Sequence, residues 1–299
     1  MIVVGIDGGG SKLKFLARDI ESGAEFEFVV PEPANPNFTP VAKLLVNIDI
    51  GMQKITEWGN ATFNNAQIGS IYAGISGCAN GSRYIMPITE HLNKYTNIVS
   101  VDGDTHNSFR ANTNAKSGLV GLAGSGSNIT HYWPDGSEIV LGIVAYGIRE
   151  ILYLLCELAQ SGDIDPVGVE YIRRIGLGDW LDADMDKFLD DSLPLESFRH
   201  IIELDQNSPE FKSISPILNL VRLRWLYKLS GRILAHQQKT GDQNVTLVLS
   251  GGLWNLSYLT DFVSNRLNKL FGSNLTLIYN PNVQPVQGSL ALAIEQLMS

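Results

Sequence analysis

The chain has 299 residues, of which 44% are hydrophobic and 18% charged, and this composition excludes a disordered chain. The length favours two domains. The formal net charge of -9 argues against a nucleic-acid surface, because neutralising phosphates takes clustered Lys and Arg. We therefore expect any anionic ligand to be held by backbone amides and a metal ion.

The N-terminal residues predict a strand rather than a targeting segment. The apolar run at residues 2–6 has no basic segment before it and is followed by Asp7, so no secretory signal is expected. No apolar stretch reaches membrane-spanning length. Cys78 and Cys156 are too few and too far apart for a disulfide framework, a zinc site or an iron–sulfur cluster within one chain. These features predict a cytoplasmic protein without a membrane partner.

The first part of the chain alternates between strand and helix patterns. Alternating apolar and polar residues predict a three-stranded meander, with turns at Gly8-Gly9-Gly10 and Ser22-Gly23. The later elements are expected as a helix through residues 44–55, a strand at 68–73, a helix at 84–95, a strand at 97–101 and a helix at 105–114.

The chain then repeats itself. The segment Gly5 to Lys12 aligns without gaps on Gly121 to Asn128, with glycine or serine shared at four positions. The strands and the hairpin turn around the second copy repeat as well. This predicts a duplicated α/β unit, with a first domain at 1–115 and a second at 116–286. The last helix, at about 287–299, is expected to pack back on the first domain.

Further patterns in the second half predict a helix at 147–159, an irregular helical region around 176–179 and an apolar strand at 244–249. Residues 216–238 form a long amphipathic pattern, which we interpret as a core-packing helix. The strand at 244–249 runs into Ser250-Gly251-Gly252, and another helix is expected to start near Ser257.

Glycine-rich turns between strands expose backbone N–H groups that can surround phosphate oxygens. Neither turn has the spacing of a Walker A loop or of a dinucleotide-binding motif. Ordinary hairpins remain the alternative for either turn alone, but both turns together with Ser250-Gly251-Gly252 favour a triphosphate site. The hydroxyls of Ser11 and Ser127 are candidate phosphate donors, although serine is also common in turns for local reasons.

Three aspartates follow predicted strands. Asp7 stands beside the first glycine turn, where a carboxylate can hold hydrated Mg²⁺ against phosphates. The repeat has Ala123 there, so only the first half carries this candidate metal ligand. Asp102 and Asp104 are both candidates for the base that accepts a proton from a substrate hydroxyl, and either could instead cap a helix.

These motifs resemble the sugar kinase, Hsp70 and actin superfamily, and within it the N-acetylglucosamine kinase group, also called the BadF/BadG/BcrA/BcrD ATPase family. Residues 5–12 resemble its first phosphate motif, residues 73–77 its connecting motif, residues 124–128 its second phosphate motif and residues 250–252 its adenosine motif. The resemblance implies a duplicated ribonuclease H-like, actin-like ATPase fold whose two domains border a central cleft.

The resemblance also implies roles for single residues. Asp104 becomes the catalytic base rather than Asp102, because the family aspartate lies about twenty residues before the second glycine turn. Asn35, Gly77, Asp104 and Asn128 would contact a sugar, with Asn37 as an alternative to Asn35. ATP would bind through Gly8, Gly9, Gly10, Ser11, Lys12, Gly124, Ser125, Gly126, Ser127, Gly251 and Gly252, and Asp7 would hold Mg²⁺.

The implied activity is ATP-dependent phosphorylation of an amino sugar, most simply N-acetylglucosamine or glucosamine, and a homodimer is left open. One segment departs from the family, because residues 141–147 lack the acidic residue that helps to bind the sugar. Asp135 and Glu138 are nearby, although the hairpin turn explains Asp135. The alternative is an ATP-binding activase or switch of the same superfamily. The paired cysteines of the activases are missing.

Overall fold

The computed structural model describes residues 1–63, 66–135, 137–142, 145–181 and 194–299. The chain forms two compact units. Unit 1 consists of residues 1–115 with 282–299, and unit 2 of residues 116–281. Among the described helices, none is long and apolar enough to cross a membrane.

Unit 1 is built on a five-stranded sheet in the order β3-β2-β1-β4-β5. Strands β1 to β3 are antiparallel neighbours, whereas β4 and β5 run parallel to β1. The strands are β1 (Ile2–Gly8), β2 (Leu13–Asp19), β3 (Glu25–Val30), β4 (Ile68–Ile75) and β5 (Val99–Asp102), and the helices between and after them are α1 (Val41–Thr62), α2 (Ile85–Leu92) and α3 (Asp104–Asn112).

The burial of unit 1 follows from the sequence pattern. Strand β1 is central and almost wholly buried, while the edge strand β3 exposes Glu25 and Glu27 and half-buries Phe26 and Phe28. Helix α1 turns one apolar stripe towards the sheet, because its buried residues recur every three or four positions. These residues include Leu44, Ile48, Met52 and Ile55.

Unit 2 repeats this sheet. Its order β10-β9-β6-β7-β8 has the same connectivity and the same parallel and antiparallel pairs as unit 1. Two sheets of identical topology confirm the predicted duplicated ribonuclease H-like α/β fold. The strands are β6 (Gly118–Ala123), β7 (Ser127–Tyr132), β8 (Glu138–Gly142), β9 (Val245–Ser250) and β10 (Leu275–Tyr279). Strand β10 was not predicted from the sequence.

Unit 2 carries six α-helices in the described ranges: α4 (Ile148–Gln160), α5 (Pro166–Ile172), α6 (Gly178–Leu181), α7 (Phe198–Ile202), α8 (Pro209–Thr240) and α9 (Ser257–Phe271). The long helix α8 has clear boundaries. Ser208 accepts the N–H of Phe211 at 3.1 Å, Pro209 occupies the first helical position, and Gly241 ends the helix in the left-handed conformation. The predicted amphipathic segment 216–238 lies within α8.

The last helix, α10 (Pro285–Met298), packs on unit 1 against β1, β2, β4 and α3. The Ser289 hydroxyl donates to the carbonyl of Ile6 at 2.9 Å. Gly5 and Gly288 permit the close approach, since a Cβ on either would overlap backbone atoms of Leu290 or Asn107. Because Gly5 and Gly288 have no side chain, α10 lies directly against the backbones of β1 and α3 and holds both in place.

We expect Gly288→Ala to destabilise unit 1 by about 1–3 kcal/mol, because its methyl group would overlap the α3 backbone. The matched control is Gly231→Ala in α8. Apart from its chain neighbours and the adjacent backbone of α8, a Cβ at that position would meet no described atom within 4 Å, so this variant should gain about 0.5–1 kcal/mol.

Each unit contains one buried thiol, Cys78 in unit 1 and Cys156 in unit 2. The rate at which a thiol reagent labels each cysteine in dilute denaturant therefore reports the opening of its own unit. Gly288→Ala should speed the labelling of Cys78 and leave that of Cys156 unchanged. Equal rates for Cys78 in the variant and the unchanged protein would contradict the close crossing of α10 and α3.

Candidate functional site

The candidate site of unit 1 lies where β1, β4 and β5 end. Asp7 closes β1 beside the first glycine turn, and Asp104 opens α3 directly after β5. The carboxyl ends of parallel strands meet at one edge of the sheet, which is where open α/β sheets bind ligands. The topology thus brings Asp7 and Asp104 to the same edge.

Asp104 is held by a hydroxyl and by its own helix. The Ser76 hydroxyl hydrogen-bonds to its carboxylate, as do the backbone N–H groups of Asp104 and Thr105. Burial is the larger cause that raises the pKa of Asp104 to about 7, and the negative charge of Asp7 raises it further. A carboxyl with this pKa can accept a proton near neutral pH.

Asp7 is also an unusual carboxyl. Burial raises its pKa to about 6, while a hydrogen bond from Asn107 and the charges of Lys12 and Lys14 oppose this rise. The Asn107 side-chain amide donates to Asp7 Oδ1 and to the Gly74 carbonyl, both at 3.1 Å. A Cβ on Gly74 would overlap this amide, so the glycine makes room for it.

Asn107, Ser76 and Gly74 were not among the predicted site residues. Asn107 follows Asp104 by three positions, which places both on one face of α3. Its polarity, one turn after a candidate base, is the only signal that the sequence offers for it. Asn107 Oδ1 is buried without a hydrogen-bond partner among the described residues, so an acceptor remains free beside Asp7.

Asp102, the alternative base, is differently engaged. Its carboxylate accepts the Gly103 N–H at 2.7 Å and the Tyr72 hydroxyl at 3.1 Å, and it lies 2.9 Å from His106 Nδ1. Asp104 is nevertheless the better candidate for the base, because burial and the charge of Asp7 raise its pKa to about 7.

The connecting segment joins Asn35 to Asp104. Asn35 Nδ2 donates to the Ser76 hydroxyl at 3.3 Å, and Asn35 Oδ1 accepts the Asn37 N–H at 3.0 Å in a turn. Gly77 has φ 86°, and a Cβ there would lie 2.6 Å from Asn35 Oδ1 and 2.7 Å from Asn37 Nδ2. Asn35, Ser76, Gly77 and Asp104 are thus one connected group.

The first glycine turn is pinned at its base and exposed at its tip. The Gly8 carbonyl accepts the Ser76 N–H at 2.7 Å, and the Gly9 N–H donates to the Lys12 carbonyl at 3.0 Å. Gly10, Ser11 and Lys12 are exposed. The loop can therefore present its tip to a ligand while its base stays attached to the connecting segment.

Unit 2 brings its own glycine motifs together. A Cβ on Gly147, the residue before α4, would lie 2.5 Å from the Gly126 backbone, and the Ile148 N–H donates to the Gly124 carbonyl at 2.9 Å. Gly251 has φ 105°, and a Cβ there would overlap the Ala123 carbonyl. Residues 124–128 and 250–252 are therefore in contact.

Two predicted residues of this turn have partners of their own. The Ser127 hydroxyl is buried and donates to the Ala145 carbonyl at 2.6 Å, which occupies its single proton. Asn128 is half-buried on β7, and its side-chain oxygen lies 3.4 Å from the Thr130 hydroxyl. The Gly124 N–H donates to the Gly126 carbonyl at 2.9 Å, so the residues that this turn exposes or half-exposes to a ligand are Ser125 and Gly126.

The segment that lacks the expected acidic residue is described only in part, because residues 143 and 144 lie outside the described ranges. Ala145 is buried. The Tyr146 carbonyl accepts the Trp225 indole N–H at 2.9 Å. Asp135 accepts the Ser137 N–H at 2.9 Å, which is hairpin-turn chemistry.

The carboxylates of unit 1 fit a hydrated Mg²⁺ ion. The described ranges contain no group of three or more His, Cys, Asp or Glu side chains arranged for a metal. Mg²⁺ instead prefers one or two carboxylates, several waters and substrate phosphates. Asp7 supplies such a carboxylate beside the free Asn107 Oδ1.

No protein-family model and no curated protein match the chain. Solved structures do. One is named as a candidate N-acetylglucosamine kinase from Porphyromonas gingivalis, with 15% identity, TM-score 0.66 and coverage of 97% of this chain and 99% of that one. Another is a ROK family glucokinase from Streptomyces griseus in complex with glucose and AMPPNP, with 13% identity, TM-score 0.60 and coverage of 99% and 100%.

A third is the MamK double helical filament, with 10% identity, TM-score 0.59 and coverage of 98% of each chain. At these identities the likeness shows the fold alone. It confirms the predicted actin-like ATPase fold over nearly the whole chain.

We predict that Asp7→Asn lowers the pKa of Asp104 below about 7, because it removes the negative charge that disfavours ionisation of Asp104. The measurement is a carbon NMR titration of the side-chain carboxyls. Asp135→Asn, in the hairpin of unit 2, is the control and should leave the pKa of Asp104 unchanged. An unchanged pKa in Asp7→Asn would show that the two carboxyls do not interact.

Proposed function

We propose that the protein is an ATP-dependent sugar kinase in which Asp104 is the catalytic base. The observation that carries the proposal is the Asp104 carboxyl, with a pKa of about 7, held by Ser76 at the sheet edge that also carries Asp7. Phosphoryl transfer to an alcohol needs such a base, since the hydroxyl proton must leave as its oxygen attacks phosphorus.

In the proposed reaction the carboxylate of Asp104 accepts the proton of a sugar hydroxyl. The hydroxyl oxygen forms a bond to the γ-phosphorus of ATP, and the bond from that phosphorus to the oxygen bridging to the β-phosphate breaks, which releases ADP. Ser76 orients Asp104, and Asn35 holds Ser76 in turn. Asn35, Gly77 and Asn128 are the proposed sugar contacts.

The proposed phosphate contacts are the backbone N–H groups of the two glycine turns, because amides without side chains can approach phosphate oxygens closely. Gly251 and Gly252 would face the adenosine. Asp7 would hold Mg²⁺, which when bound neutralises negative charge on the phosphates. The ion would also offset the charges of Asp7 and Asp104.

The finer proposal is an amino-sugar substrate, N-acetylglucosamine or glucosamine, used by a cytoplasmic enzyme. The Porphyromonas gingivalis structure is named as a candidate N-acetylglucosamine kinase, and the Streptomyces griseus structure contains glucose, which supports a hexose. Residues 141–147 lack the acidic sugar contact of the family that the chain resembles, so the specificity is expected to differ from that of the family.

The missing acidic contact also favours a second candidate function, an ATP-binding switch that phosphorylates no sugar. An assay of ADP release over a panel of hexoses and amino sugars, with and without Mg²⁺, separates the two. ATP binding without stimulation by any sugar would favour the switch. A failure to bind ATP would refute both.

We expect Asp104→Asn to lower kcat for sugar phosphorylation by about 10²- to 10⁴-fold, because the amide cannot accept the proton. Affinity for ATP should change little. The comparison variant is Asp102→Asn, whose wild-type carboxylate is tied to Tyr72, His106 and Gly103, and its loss of kcat should be much smaller. Equal losses in the two variants would contradict the assignment of the base.

Asp104→Asn also has a stability signature. A carboxyl whose pKa is raised on folding stabilises the fold only at low pH, and this contribution is lost as the pH rises through about 7. Because asparagine does not ionise, the variant does not lose stability in this way as the pH rises. It should therefore be more stable than the unchanged protein at pH 8 but not at pH 4, which shows that its inactivity is not unfolding.

The nucleotide side is tested at Gly251. We expect Gly251→Ala to weaken ATP binding at least about tenfold, because its Cβ would displace the Ala123 carbonyl and the turn at Gly124. Gly241→Ala is the matched control, since Gly241 also has a positive φ of 73° but its Cβ would meet open space. Calorimetric titration with ATP should show a loss of affinity in the first variant only.

A further inference from the structure

Asn107 is a wholly buried polar residue of α3. Its side-chain amide donates to two acceptors, Asp7 Oδ1 and the Gly74 carbonyl, each at 3.1 Å. A side-chain amide has two N–H groups, so these two bonds use both of them and set the orientation of the amide. A donor rather than an acceptor therefore faces Asp7.

The space around Asn107 is made by two glycines. A Cβ on Gly74 would overlap the side-chain amide, and a Cβ on Gly288 would overlap the backbone of Asn107. Neither glycine has a positive φ, so the backbone conformation does not require glycine at either position. What both glycines provide is room for close packing around Asn107.

The amide at position 107 also costs stability. Its Oδ1 atom is buried and has no hydrogen-bond partner among the described residues. An unsatisfied buried acceptor costs about 1–3 kcal/mol. An apolar residue such as leucine, which branches at the same carbon, would fill the space over Gly74 without an unsatisfied acceptor of its own. What asparagine adds is the donation to Asp7 and Gly74.

The two carboxylate oxygens of Asp7 have different surroundings. Oδ1 accepts the Asn107 amide, whereas Oδ2 accepts no hydrogen bond from the described residues. Asp7 keeps part of its surface exposed, so a ligand can reach it. Carboxylates that bind metal ions are themselves held by hydrogen bonds from neighbouring groups. The contact with Asn107 thus leaves Oδ2 for a metal ion or its water.

We propose that Asn107 is the positioning residue that orients Asp7 for Mg²⁺. By holding Oδ1 it keeps the carboxylate from turning and leaves Oδ2 for the ion. Asn107 follows Asp104 by one turn of α3, about 4.5 Å along the helix axis, so one helix positions both the candidate base and the metal-binding carboxylate. The role of Asn107 rests on the proposed role of Asp7 as a metal ligand.

The first test separates metal binding from nucleotide binding. AMPPNP is titrated calorimetrically into the protein with Mn²⁺ and again with EDTA, and the ratio of the two affinities gives the contribution of the metal. Asn107→Ala and Asn107→Leu should each reduce this ratio about 10- to 100-fold, as is typical when a partner of a metal ligand is removed. The affinity in EDTA should stay unchanged, which also shows that the variants are folded.

Asn112→Ala is the matched control on the same helix. The Asn112 amide also donates to a backbone carbonyl, that of Ser108 at 2.9 Å, and its Oδ1 also has no partner among the described residues. This variant should keep the full ratio. Asp7→Asn should lower the ratio, and adding Asn107→Ala to it should cause no further loss, since Asn107 acts through Asp7.

An unchanged ratio in Asn107→Leu overturns the proposal, because packing alone would then account for Asn107. Additive losses in the double variant also overturn it. If the unchanged protein binds AMPPNP equally with Mn²⁺ and with EDTA, the metal role of Asp7 in the proposed function fails as well. Failure of the Asn107 variants alone leaves that metal role intact.

The second test needs no variant of Asn107. The side-chain NH₂ signals of Asn107 are followed by NMR in the unchanged protein as AMPPNP is added without Mg²⁺ and then with it. These signals should shift in the second step, when Asp7 engages the ion, while those of Asn112 stay in place. Asn107 signals that do not respond to Mg²⁺ overturn the proposal whatever the stability of the variants.

Discussion

The close crossing of α10 over β1 and α3 is the constraint on which the candidate catalytic group depends. Gly5 and Gly288 allow backbone to approach backbone, and the Ser289 hydroxyl ties α10 to Ile6, next to Asp7. On the other side of the same crossing, α3 carries Asp104 and Asn107. One helix therefore sets the spacing between the strand and the helix that supply the two carboxylates.

Those carboxylates are placed where ionisation is unfavourable. Burial raises the pKa of both carboxyls. The hydrogen bond from Asn107 to Asp7 and the one from Ser76 to Asp104 each reverse only part of this rise. Such unfavourable ionisation is common in binding sites, because a bound ligand can offset it. In unit 1, a cation beside Asp7 and a hydroxyl proton beside Asp104 would each do so.

Much of the fold follows from the sequence. Alternation in residues 13–30 and the glycine turns predict both meanders, and the repeat predicts the shared topology. The edge strand β10 escaped prediction because its five residues are mostly half-exposed and show no clear alternation. The buried face of α8 was predicted. The exposed apolar residues of α8, namely Leu220, Leu223, Tyr227 and Leu234, were not, because apolar residues on two faces blur helical periodicity.

The motif residues of the site follow from the sequence, but their partners do not. Spacing alone places Asp7 and Asp104 at strand ends. That the Asn107 amide fits over Gly74, or that the Ser127 hydroxyl donates to the Ala145 carbonyl, depends on contacts between distant segments. A single sequence gives no signal for such pairs beyond the polarity of the residues.

The chain order of α10 has a consequence for biosynthesis. Val3, Leu16 and Tyr72 form a small cluster with Val286, Leu290 and Ala293, which the ribosome adds only after all of unit 2. At ordinary translation rates this delay is roughly 10 to 30 s. During that interval the nascent first sheet presents an apolar surface to solvent, so a chaperone has time to cover it before the last helix emerges.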